Sequence, residues 1–232
     1  SQGLADLETV SRGHEAYFQA LNSLVGSVDV EHWKAYLRFH AANALAPHLS
    51  QGFRTAHFDL YGRLLAGQAE PAPRWEQVLS TLDASVGDAL GQAYVARHLA
   101  DADRQRAEAV VDAVRQQLTR GVAAAGWLGE DAKAAAAEKL ATLRVEVGVP
   151  RHWADFSGLV LGGDGYAAHV LAAARHRHAQ ELARIGDTTG LRWPVPTQLP
   201  DIGYDLALNR LTVTAALLQE PVLSANGDAA VD

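Results

Sequence analysis

The chain has 232 residues, 48% of them hydrophobic, a net charge of −7 and no cysteine. That length fits one large domain or two small ones with a sizeable core. The acidic balance, without a basic block, excludes a nucleic-acid footprint, and the missing thiols exclude disulfides and thiolate metal sites. No apolar run is long enough to span a membrane, no signal-peptide pattern is visible at Ser1, and methionine is absent throughout.

Taken in order, Ser1–Val28 holds an amphipathic segment with Tyr17, Phe18, Leu21, Leu24 and Val25 on one side. Asp29 is the expected N-cap of the next helix, which carries Trp33, Tyr36, Leu37, Phe39 and His40 until Pro47 kinks or ends it. Ser50–Leu65 reads as a further helix, and 67–73 (GQAEPAP) as a loop. Pro73–Leu99 is predicted to be a central, largely buried helix. Trp75, Val78, Leu79, Leu82, Val86, Leu90 and Tyr94 recur at steps of three and four. Gly87 and Gly91 share a face, where a second helix is expected to approach closely.

Asp101–Ala124 reads as a charged helix burying Ala107, Val110, Val111, Val114, Leu118 and Val122. Trp127, in the turn that follows, is expected to plug its ring into the bundle. Glu130–Leu143 is an alanine-rich helix, and Val145–Val147 a short strand ended by Gly148 and Pro150. After a loop to Gly165, Tyr166–Ile185 is helical, with Gly186 as its C-cap. Thr188–Pro200 should be extended. Then the period changes to two: Ile202 and Tyr204, Leu211 and Val213 predict a β-hairpin, although its turn lacks glycine. Ala215–Leu218 begins a helix, and Ser224–Asp232 is small and polar.

No self-sufficient catalytic constellation emerges from these residues. The one His-Glu pair, His14-Glu15, lacks the second histidine of HExxH, whose i, i+4 spacing lets two imidazoles reach one zinc. His176 and His178 lie two apart and so point to different sides of their helix, which favours solvated surface over a ligand pair. No GxSxG, P-loop or GxGxxG occurs.

A run of short motifs nevertheless resembles the neprilysin family of zinc metalloendopeptidases, in family order. Trp33–Arg38 with His40 resembles its W-x-x-Y-L-R-x-H helix. Phe58–Gly62 with Leu65–Gly67 resembles F-Y-G-x-x-L-x-G, and Pro73-Arg74-Trp75 its P-R-W. Gly87–Val95 resembles G-x-A-L-G-x-x-Y-V. Trp127-Leu128, Lys133, Lys139-Leu140 and Val145–Pro150 resemble the block after it, and Asn209–Pro221 resembles N-x-I-V-F-P-A-x-I-L-Q-P-P.

The resemblance implies a mainly α fold: a multi-helix capping domain over 1–190, incomplete at its N-terminus, and a short β-hairpin over 191–232 that begins a thermolysin-like catalytic domain. It implies an internal fragment that stops just before the HExxH helix, with no catalytic residue and no metal ligand of its own, inactive alone. The intact parent is expected to hold zinc, which polarises the scissile carbonyl and whose bound water a glutamate activates, and to hydrolyse oligopeptides. Its expected location is periplasmic or secreted, with the cytoplasm as the alternative.

Substrate-binding positions carried over from the family are Asp201, Ile202 and Tyr204 on the substrate-edge strand, and Leu217 and Val222 as walls of an apolar pocket. Asp201 and Ile202 stand where the family has its Asn-Ala pair. An ionised aspartate cannot donate the hydrogen bond of an asparagine amide. A non-catalytic relative that binds a peptide or partner is therefore the alternative.

Overall fold

The computed structural model describes residues 13–186 and 192–223. The opening residues of Ser1–Val28, the start of the extended segment at Thr188 and the polar tail from Ser224 lie outside this set. The chain divides into two compact units, 1–78 with 159–185, and 79–158 with 186–232.

The first unit is helical. Helix α1 (Glu15–Ser27) buries none of its residues. Helix α2 (Val30–Leu45) starts where expected: the Asp29 carboxylate accepts the Glu31 N–H at 2.8 Å, satisfying one of the donors that every helix start leaves open. Pro47 converts its end into a short 3₁₀ turn, Ala46–His48. Helix α3 (Gln51–His57) does not continue as an α-helix to Leu65. It widens into a π-type helix over Phe58–Leu65, with the Phe58 ring laid across buried Gly62. Helix α7 (Tyr166–Ala183) is capped by Arg184, not by Gly186 as expected; Gly186 follows two residues later at φ +89, a left-handed conformation glycine adopts freely. Here Tyr166 sits between the His48 ring, 5.5 Å away, and the Arg74 guanidinium, 5.0 Å from its centroid.

The second unit holds α5 (Asp101–Ala124), α6 (Glu130–Ala141), most of α4 (Arg74–His98) and a three-stranded sheet. Strands β1 (Arg144–Gly148), β2 (Ile202–Asp205) and β3 (Arg210–Thr214) are ordered β1-β3-β2. The β1–β3 pairing is parallel, with Val145 opposite Leu211 and Val147 opposite Val213; β2–β3 is the antiparallel hairpin. The core lies on the apolar face of this sheet, where Val147, Val213 and Leu218 meet Ala107 of α5. Leu218 ends a single 3₁₀ turn, Ala215–Leu218, where the sequence suggested a longer helix.

Three expectations about burial are corrected. Helix α4 is bent at Val86 (φ −135, ψ 31), and only Gly87 and Gly91 are buried along it; Trp75 is 68% exposed. The glycines meet a turn, not a second helix: over 192–200 the chain bends and turns where the sequence suggested an extended run, and the Leu199 N–H donates to the Pro196 carbonyl at 3.0 Å. A Cβ on Gly87 would stand 2.6 Å from Pro196 Cγ, and one on Gly91 would stand 2.9 Å from Gln198 Oε1. Gln198 also donates to Asp83 Oδ1 (2.7 Å) and to the Gly87 carbonyl (3.2 Å), fastening the segment across the bend. Helix α5 outruns the sheet that covers it, so Ala107 is buried but Val110, Val114 and Leu118 are exposed. Trp127 is 85% exposed and plugs nothing.

Candidate peptide-binding edge

The hairpin turns without a glycine because Asn209 takes the left-handed conformation itself, at φ 47. Asparagine tolerates this region better than other side chains. Its amide Nδ2 donates to the Lys139 carbonyl (2.8 Å) and to Thr142 Oγ1 (3.0 Å), while Oδ1 accepts from the Tyr204 hydroxyl (2.7 Å). The turn is thereby tied to α6. Asp205 caps it from the other side, its Oδ1 accepting the Ala207 and Leu208 N–H groups.

Strand β2 is an outer strand of the described sheet. Asp201, just before it, is bonded both ways to Thr214: its carbonyl accepts the Thr214 N–H at 3.0 Å and its own N–H donates to Thr214 Oγ1 at 2.8 Å. Bonded and non-bonded pairs alternate along an antiparallel ladder. The register therefore turns Gly203 and Asp205 toward β3 and aims the N–H and C=O of Ile202 and Tyr204 outward.

Side chains alternate as well. Ile202, 61% exposed, and Tyr204 occupy the apolar face; Asp201 and Gly203 occupy the polar one, with Asp201 Oδ2 3.4 Å from where a Gly203 Cβ would be. Beneath Tyr204, a concavity of about 480 Å³ opens between α5, α6 and the hairpin. It is lined by Leu118, Val122, Leu140, Leu143 and Leu211, and the Lys139 ammonium lies 5.4 Å from the Tyr204 ring centroid.

The structure brings together three of the five substrate positions expected from the sequence. Asp201, Ile202 and Tyr204 follow one another along the edge. Leu217 instead packs against the core cluster, and Val222 is exposed in the turn after the 3₁₀ segment.

Sequence reasoning missed the network behind the edge. The Glu146 side chain, 8% exposed, accepts from the Trp193 indole N–H and pairs with Arg151 (3.3 Å) and Arg210 (3.9 Å). Arg210, 5% exposed, also reaches Asp205 (3.8 Å) and donates to the Arg192 carbonyl (3.0 Å). Arg210 stands on central β3, so this network links β1 to the end of β2. Its trace in the sequence is Glu146 between Val145 and Val147 in β1, and Arg210 at the start of β3.

Among the described residues, no three His, Asp or Glu side chains gather as a metal site requires. The described residues therefore do not fit a zinc centre.

The described helices and small sheet have counterparts in solved bacterial structures. The structure superposes on the Mycobacterium tuberculosis zinc metalloprotease ZMP1, solved in complex with an inhibitor, with a TM-score of 0.76 and 27% identity, covering 91% of this chain and 32% of that one. Among curated relatives, mouse membrane metallo-endopeptidase-like 1 is 21% identical over 90% of this chain and 28% of its own length. The neutral endopeptidase of Lactobacillus helveticus is 22% identical over 86% of this chain and 31% of its own length. The model of peptidase family M13 matches residues 1–150, and the chain belongs to that family. It spans under a third of the length of these relatives.

Proposed function

We propose that this chain is part of an M13 zinc endopeptidase that hydrolyses oligopeptides, and that β2 is the strand along which extended peptide pairs. On this reading 1–190 supplies the helical cap and 191–232 the start of the catalytic domain, and the protein works outside the cytoplasm, periplasmic or secreted. Zinc is held by residues other than those described above, and the chain is inactive by itself. The observation that carries the reading is the open edge of β2, whose Ile202 and Tyr204 backbone groups are free to extend the sheet by one strand. The Leu217 and Val222 assignments keep only the support of their sequence positions.

The test is peptide hydrolysis by the full-length protein. We expect cleavage that a chelator removes and added zinc restores, and that Ile202→Pro suppresses. Proline there deletes an outward N–H and leaves the bonds to β3 in place. Full cleavage by the proline variant would overturn the role of β2. Asp201 favours one second reading, a non-catalytic peptide-binding relative. A full-length protein that binds peptide and does not cut it, with zinc present, would decide for that reading.

A further inference from the structure

Along its polar face the edge presents Asp201, the gap at Gly203, and Asp205. Asp205 is engaged by Arg210 and by the turn amides. Asp201 is not: its backbone is used by Thr214, but its half-buried carboxylate makes no hydrogen bond or ion pair among the described residues. It lies along Gly203, where no side chain shields it. A strand added at this edge places its own side chains about 4.5–5.5 Å from those they face. One of them faces Asp201 beside an empty position that leaves room for a long stem. An uncompensated carboxylate there repels a peptide acid, gains nothing from an apolar residue, and attracts an ammonium or guanidinium.

We propose that Asp201 is a specificity-determining residue that selects extended peptides carrying lysine or arginine at the position facing it. This rests on the reading of β2 as the peptide strand. The lost asparagine-type donor at this position then marks a change of preference toward basic peptides.

The experiment compares two fluorescently labelled, end-blocked peptides, Val-Thr-Val-Thr-Val-Thr and Val-Lys-Val-Lys-Val-Lys, binding to the full-length protein by anisotropy. The expected result is that the lysine peptide binds about two- to fivefold more tightly, as one cross-strand charge pair predicts, and that the difference shrinks at high salt. Asp201→Asn should abolish the preference. Asp112→Asn, which removes the same charge from an exposed helix position, should keep it. A preference that survives in Asp201→Asn overturns the proposal, because the general acidity of the protein then explains it. Equal binding of both peptides, lost in Ile202→Pro, also overturns it and leaves β2 as the peptide strand. If neither peptide binds any form, the reading of β2 falls and this inference falls with it.

Discussion

A methyl group on Gly87 would press against a proline ring, which cannot swing aside as the tip of a flexible side chain can. Gly87→Ala should therefore cost about 1–3 kcal/mol, as overpacking does, read as a lowered thermal midpoint. Gly26→Ala, in open space, should not lower it. Glu146 offers the opposite experiment. Glu146→Leu removes one of the two carboxylates beside buried Arg210 and the acceptor of the Trp193 indole N–H, and is expected to cost about 1–3 kcal/mol, measured by denaturant unfolding. At this scale the sequence was half legible. The glycine pair signalled close approach, since two glycines weaken a helix without such a reason. What approaches could not be read locally, because Pro196 lies over a hundred positions away.

Elements whose limits are set by adjacent residues were foreseen well. Asp29 caps α2, α5 spans 101–124 as its charge pattern indicates, and β2 and β3 alternate as the hairpin requires. The π-type widening after α3 and the bend at Val86 were not, since each depends on what packs alongside. The same holds for Trp127: nothing in its neighbours reveals that no core lies within its reach.

One element junction carries a pH dependence. His48, in the 3₁₀ turn after α2, has its pKa held below the ordinary 6.5, first by burial and then by the Arg74 and His57 charges. The folded state thus disfavours protonated His48, and the unfolded chain takes up more protons between the two values. The resulting stability is fully present above about pH 6.5 and is lost as pH falls through the folded value. We expect the helical melting midpoint to drop on acidification across that window, and His48→Gln to flatten the drop. An unchanged slope in the variant would assign it to other groups.

At the scale of the molecule, the units interleave along the chain: 1–78 and 159–185 form one, 79–158 and 186–232 the other. Family membership and the mainly helical architecture were legible from motif order. This interleaving was not, since no short motif reports the long return from β1 to β3. That return orders events during synthesis. Strand β1 leaves the ribosome with Val145 and Val147 and must wait for Leu211 and Val213, its register partners, to be translated. Until then the central strand is missing, and the apolar face of β1 has no neighbouring strand and only α5 to cover it. A nascent chain arrested before Arg210 should engage a chaperone or aggregate, whereas one released after Leu223 should not; sedimentation of chains stopped at Pro200 and Leu223 compares them. Equal solubility of the two would mean that α5 alone protects β1. The parallel pairing of β1 with β3 thus makes a vulnerable interval in the life of every newly made copy, and its length is set by the speed of translation.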